Sequence, residues 1–184
     1  MESSNSKLGL VQIYFGNGKG KTTSALGTAL RACGNGYNVF FIQFMKNGAE
    51  SLEQKLPGEI LSLDKFDNFR FKRFGIDGWV VGKPTEKQIE SCREALNFVK
   101  EVLQDIWADI IIADEILYAV QLGLLSEDEV VKLIEEKPSG KELILTGSHE
   151  PLEKVFEKAD LISEIKKVKH PYDKGIKARR GVEF

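Results

Sequence analysis

An apolar run, Leu10-Val11-Gln12-Ile13-Tyr14-Phe15, breaks into Gly16-Asn17-Gly18-Lys19-Gly20-Lys21-Thr22-Thr23, and a helix-like segment follows. A strand that turns through glycines into a helix is how chains cradle polyphosphate. Glycines reach positive φ and carry no Cβ, so backbone can wrap closely around an anion. Successive N–H groups then point inward, and the helix dipole adds partial positive charge. In that arrangement Lys21 neutralises phosphate oxygens and the Thr22 hydroxyl ligates Mg²⁺. The loop is shorter than the usual one. Only Asn17, Gly18 and Lys19 separate Gly16 from the Gly20-Lys21 pair, where the common form has four residues. Phe15 stands where a glycine or alanine would complete the longer form.

Other apolar runs suited to buried strands recur at residues 39–45, 69–74, 110–113, 143–146 and 161–165. Their continuity, rather than alternation, suits a parallel sheet covered on both faces. Helical patterns lie between them. One spans residues 22–32, directly after the glycine loop. A long amphipathic one runs from about 86 to 107 and would bury Ile89, Cys92, Leu96, Val99 and Leu103, with Thr85 and Gln88 spaced as a capping box. Ser126 and Glu129 repeat that signature before Val130, Val131, Leu133 and Ile134, and Pro138-Ser139-Gly140 closes the segment. The alternation predicts a doubly wound α/β fold: a mostly parallel sheet of about six strands with helices on both faces, like the P-loop NTPases. At 184 residues the chain reads as one nucleotide-binding domain over 1–184. The least regular stretches are 47–51, 64–68 and 75–84. The first and third follow strand ends and are candidate substrate loops.

A net charge of −2 offers no basic field for nucleic acid. Residues 1–7 are short and polar, no stretch is long enough to cross a membrane, and the expected location is the cytoplasm. Cys33 and Cys92 fall on apolar helix faces, which predicts buried, reduced thiols.

A second element is Ile110-Ile111-Ile112-Ala113-Asp114-Glu115. An apolar strand that ends in carboxylates resembles the acidic strand that partners phosphate loops, and one carboxylate beside Thr22 suits Mg²⁺. Read alone, the same residues are a helix start with Asp114 as its cap. With the glycine loop present the metal reading is favoured, and either Asp114 or Glu115 can be the direct ligand. Arg31, read alone, is a cation at a helix C-terminus. Gln43 and Lys46 stand at the end of the second strand run, where Lys46 is either a solvated lysine or one that faces polyphosphate. Residues 166–181 are markedly basic, which by itself suggests a solvated tail. Gly175, Gly181, Val182 and Phe184 point instead to an ordered tail that packs near the site. His149 and His170 have no metal-ligand spacing.

These motifs resemble the ATP:corrinoid adenosyltransferases of the bacterial cobalamin pathway. The resemblance rests on Gly16 to Thr23 with Ala25, Gly27-Thr28-Ala29 and Arg31-Ala32; on Val39 through Gln43-Phe44 with Lys46; on Asp114-Glu115; and on Val168-Lys169-His170 with Asp173, Gly175, Lys177-Ala178 and Gly181-Val182-Glu183-Phe184. The shortened loop is that family's own form. The resemblance implies transfer of the 5′-deoxyadenosyl group of ATP to the Co(I) centre of a reduced corrinoid, with triphosphate as leaving group. It implies Lys21, Thr22 and Glu115 as catalytic residues. It makes Gly16, Asn17, Gly18, Lys19, Gly20, Thr23 and Arg31 binding residues. It also implies a homodimer and a flavodoxin-like or flavin electron donor. In the family a loop with a Gly-Phe-Thr-Trp-like pattern excludes the lower axial ligand of cobalt. Here the matching stretch is Phe74-Gly75-Ile76-Asp77-Gly78-Trp79-Val80-Val81, in which the tryptophan is displaced by one residue and the phenylalanine partner is missing. Trp79, with Phe74 or Ile76, is the corresponding binding residue; a loop-anchoring aromatic is the other reading. Two rival functions fit the glycine loop itself: a generic P-loop ATPase or kinase, and a nucleotide-gated corrinoid carrier.

Overall fold

A computed structural model describes residues 8–46, 56–76, 80 and 82–183. The chain alternates strand and helix: β1 (Val11–Phe15), α1 (Lys21–Gly34), β2 (Val39–Gln43), α2 (Gly58–Leu63), β3 (Phe69–Arg73), α3 (Glu86–Gln104), β4 (Ile110–Asp114), α4 (Ile116–Gln121), α5 (Glu127–Glu135), β5 (Glu142–Thr146), α6 (Glu153–Phe156) and β6 (Leu161–Glu164). A short 3-10 turn, Pro171–Lys174, follows. The strands form one sheet in the order β3-β2-β4-β5-β1-β6, and every pairing is parallel. All strand C-termini therefore share one edge, where loops can meet a common ligand.

The two faces have separate cores, because strand side chains alternate. On β4, Ile110 and Ile112 join Ala25, Leu26, Ala29, Ile60 and Leu63 from α1 and α2. Ile111 and Ala113 join Leu96, Val99, Leu103, Leu117 and Leu133 from α3, α4 and α5. Each buried isoleucine contributes about 1.5–3 kcal/mol relative to exposure. This double burial is why the central strands read as continuous apolar runs. The edges differ. β3 buries only Phe69 fully and exposes Arg70 and Lys72. β6 was expected to be buried, but Leu161 and Ile162 are each 41% exposed. It lies at the edge of the sheet, where only one neighbour, β1, pairs with it.

Both capping boxes form: the Thr85 and Ser126 hydroxyls each accept the N–H three residues on, and Gln88 and Glu129 reach back. The long helix stops at Gln104, short of the expected 107. Asp105 takes extended dihedrals and its carboxylate accepts the Trp107 N–H at 2.9 Å. That local side-chain bond competes with the next helical turn. Cys33 and Cys92 are free and buried, and burial pushes the Cys92 thiol up to about 11. No helix among the described residues is long and apolar enough to cross a membrane.

Candidate nucleotide site

The site begins where β1 ends. The Gly16 N–H donates to the Ser148 carbonyl at 3.0 Å, and Gly16 turns the chain with φ +109°. Gly20 turns it again at φ +121° and starts α1, whose first turn has no side-chain cap. The first N–H groups of a helix have no intrahelical partner, so those of Lys21, Thr22 and Thr23 suit an anion. The Lys21 ammonium donates back to the carbonyls of Gly16 at 2.6 Å and Gly18 at 3.1 Å. Burial pulls its pKa below the ordinary lysine value, opposed by Glu115 and Asp114.

Gly18 is required by close approach. A Cβ there would lie 2.7 Å from the Ile165 oxygen and 2.8 Å from the Lys166 carbonyl carbon. Gly18→Ala forces backbone apart at a cost of about 1–3 kcal/mol. We expect a lower melting temperature and weaker tripolyphosphate binding, measured by thermal melt and calorimetry. Binding like that of the native chain would mean that the contact with Ile165 does not shape the loop.

Opposite the loop, β4 ends in Asp114, which is fully buried. Its Oδ1 accepts the Thr22 hydroxyl at 2.9 Å and the Thr146 hydroxyl at 2.6 Å, and its Oδ2 accepts the Gln43 amide at 2.9 Å. Three strands and α1 thus converge on one carboxylate. Gln43 in turn accepts the Arg73 Nε at 3.0 Å, and Arg73 also bonds the Lys46 carbonyl. Asp114 does not cap a helix. The cap position of α4 falls to Glu115, with φ +66° and no side-chain cap bond. A non-glycine residue in that region costs on the order of 1–3 kcal/mol and marks a constrained position. Here the Glu115 N–H is held by the Thr146 hydroxyl at 3.0 Å. Burial, then the Asp114 charge, pushes the Glu115 carboxyl above the ordinary glutamate value, with Lys46 and Lys21 opposing. Lys46 Nζ lies 3.9 Å from Glu115 Oε1, so this lysine faces the acidic strand end.

The Thr22 hydroxyl and the carboxylates of Asp114 and Glu115 fit Mg²⁺, which takes oxygen ligands, one or two of them carboxylates, and completes its shell with phosphate and water. Among the described residues no cluster of three or more acidic, histidine or cysteine residues is placed to hold a metal.

Two further residues stand at this edge. Ser148, with φ +44°, is buried, and its hydroxyl has no hydrogen-bond partner among the described residues. The His149 ring lies against Tyr118 with centroids 5.1 Å apart, and burial followed by the Lys21 charge lowers its pKa. Arg31 is not brought to the loop. It lies in the last turn of α1, ten residues beyond Lys21, or about 15 Å along the axis. Lys19 and Asn17 turn their side chains to the C-terminal segment. Trp79 and the candidate loop at 47–51 lie outside the described residues. Among the described residues, Met45, Ile76, Val80, Cys92 and Leu124 give a cleft its apolar lining.

The family model described as ATP:corrinoid adenosyltransferase BtuR/CobO/CobP matches residues 7–184. The chain belongs to the ATP:corrinoid adenosyltransferase family. Among its relatives is a corrinoid adenosyltransferase of Escherichia coli strain K12, 35% identical over 182 residues, a span covering 96% of this chain and 86% of the relative. The corrinoid adenosyltransferase CobA of Salmonella typhimurium is 32% identical over the same shares of the two chains. A corrinoid adenosyltransferase of Pseudomonas aeruginosa is 30% identical, over 96% of this chain and 84% of the relative.

Sequence reasoning did not find Thr146, Arg73, Ser148 or His149. Thr146 is the one with a legible signal, since a threonine before Gly147 ends a strand. Its role depends on β5 lying between β1 and β4, which only the sheet order reveals.

Proposed function

We propose that this adenosyltransferase seats the triphosphate of ATP on residues 16–23 and holds C5′ for displacement by the Co(I) centre of a reduced corrinoid. The observation that carries the residue assignment is the convergence of Thr22 and Asp114 at 2.9 Å, beside the first turn of α1. In the reaction the cobalt electron pair forms a Co–C5′ bond, the C5′–O bond breaks, and triphosphate leaves with that bond's pair. Cobalt is thereby oxidised from Co(I) to Co(III). The leaving group is strongly anionic, so the barrier falls with preorganised positive charge. Lys21 and the N–H groups of α1 supply it. Mg²⁺, held by the Thr22 hydroxyl and a carboxylate of Asp114 or Glu115, would add positive charge at the triphosphate. The nucleophile comes with the substrate, so no protein base is needed, and the chain's task is binding, orientation and electrostatics.

On this reading the whole chain acts as one nucleotide-binding domain, works in the cytoplasm as a homodimer, and takes electrons from a flavodoxin-like or flavin donor. Product analysis with MgATP and chemically reduced cobalamin tests it. Triphosphate and a light-sensitive alkylcobalt spectrum are expected. ADP as the main product points to a kinase or ATPase, and binding without turnover points to a carrier.

Trp79 is proposed to help exclude the lower axial ligand of cobalt. Trp79→Ala should slow Co(II) reduction on the protein and leave MgATP affinity within about twofold, because an uncharged indole offers the triphosphate no neutralising charge. Loss of MgATP binding would place Trp79 elsewhere.

A further inference from the structure

Each of the three residues between Gly16 and the Gly20-Lys21 pair bonds the C-terminal segment. Asn17 Oδ1 accepts the Lys167 N–H at 2.8 Å. The Gly18 N–H donates to the Ile165 carbonyl at 2.7 Å. Lys19 Nζ donates to the Val182 carbonyl at 2.9 Å and to Glu183 Oε1 at 3.2 Å. Glu183 is itself fixed by Arg179, whose backbone N–H, Nε and Nη2 donate at 2.8, 3.2 and 3.1 Å. These bonds, the side-chain one from Arg179 first, hold the Glu183 carboxyl down to about 2. The segment folds back on itself as well: Lys167 Nζ pairs with Asp173 at 3.1 Å, and the Val182 and Glu183 N–H groups bond the Arg179 carbonyl.

This arrangement divides the loop's labour. The amides of Gly16 and Gly18 are spent on Ser148 and Ile165, so they hold shape. The donors left for an anion include the first N–H groups of α1, with the Lys21 ammonium held beside them by the Gly16 and Gly18 carbonyls. Lys19 has its ammonium among the oxygens of residues 182 and 183. A short, glycine-rich loop has many conformations to lose, and bracing it in advance converts that loss into affinity.

We propose that Lys19 and Glu183 form a positioning pair: the C-terminal segment is a brace built into the nucleotide site, and Lys19 acts on the triphosphate through that brace rather than by touching it. The proposal rests on the reading that residues 16–23 seat the triphosphate.

The two roles for Lys19 predict opposite signs for Glu183→Gln. If Lys19 is a direct ligand, removing a competing carboxylate near a bound anion leaves binding unchanged or strengthens it. If the pair positions the loop, losing the charge-assisted bonds weakens binding. The experiment measures inorganic tripolyphosphate affinity by calorimetry, and KM for MgATP and kcat with reduced cobalamin, on full-length native, K19M, E183Q and K19M/E183Q proteins. We expect each single variant to weaken tripolyphosphate binding and raise KM about threefold or more, with kcat within about twofold. The double variant should be no weaker than the worse single, because both remove one interaction. Amide exchange at residues 179–183 should rise in all three, and E183D should recover part of the loss. Unchanged or tighter binding by E183Q, or additive losses in the double variant, overturns the proposal. Failure of the native protein to bind tripolyphosphate overturns the loop reading itself, and the pair with it.

Discussion

Lys21→Ala is expected to lower adenosyl transfer by about a hundredfold or more, the loss typical of removing one preorganised donor from a site of developing negative charge. Lys21 stands at the first position of α1 and bonds the Gly16 and Gly18 carbonyls, so its ammonium sits inside the loop. Its pKa is lowered mainly by burial, with Asp114 and Glu115 acting the other way. A partly desolvated cation of this kind acts more strongly on a neighbouring anion than a surface lysine does. The loss should fall on kcat as well as on KM, because negative charge builds on the triphosphate as the C5′–O bond breaks. The measurement is steady-state turnover with chemically reduced cobalamin, which removes any dependence on an electron donor. Lys21→Arg keeps the charge but not the compact ammonium between two carbonyls, and should recover only part of the rate. A Lys21→Ala rate within about fivefold of native is incompatible with a charge-stabilising role of this size.

The elements legible in the sequence were those whose signal is local. The strand, glycine turn and helix around residues 10–32 are fixed by composition and order, and both capping boxes are read from residues three apart. The carboxylate at the end of β4 follows from an apolar run that stops at Asp114. What could not be read depends on partners far along the chain. Gln43 and Thr146 meet Asp114 across separations of 71 and 32 residues. Asn17 meets Lys167 across 150. Nothing in the local pattern of Leu161 and Ile162 distinguishes an edge strand from a buried one; the sheet order does. The short helices α2 and α6 went unread, and α4 entered only as the alternative to the metal reading, because segments of four to six residues have no independent helical stability and form only when packed.

Asp114→Asn carries the second large effect, and it separates two jobs of one carboxylate. The side chain is fully buried and accepts from Thr22, Thr146 and Gln43. An amide keeps one oxygen acceptor and replaces the other with an NH₂ donor, so it faces at least one of these donors with another donor. Leaving a buried polar group unpaired costs about 1–3 kcal/mol, which in a chain of this length lowers the melting temperature by roughly 2–4 °C per kcal/mol. The charge is lost too. With it goes the charged acceptor that holds the Thr22 hydroxyl at the end of β4, and the anionic character that suits Asp114 to Mg²⁺. Turnover should therefore drop about a hundredfold or more, the scale of losing an electrostatic group at the reacting centre, and raising Mg²⁺ should not restore it. Thr146→Val removes only the neighbouring hydroxyl, which is given by Thr146 to Asp114 and accepts from Glu115. It should share the stability loss yet keep Mg²⁺-dependent turnover well above that of Asp114→Asn. Equal activity losses in the two variants, with equal melting temperatures, would mean that Asp114 serves the packing of the three strand ends and not the triphosphate.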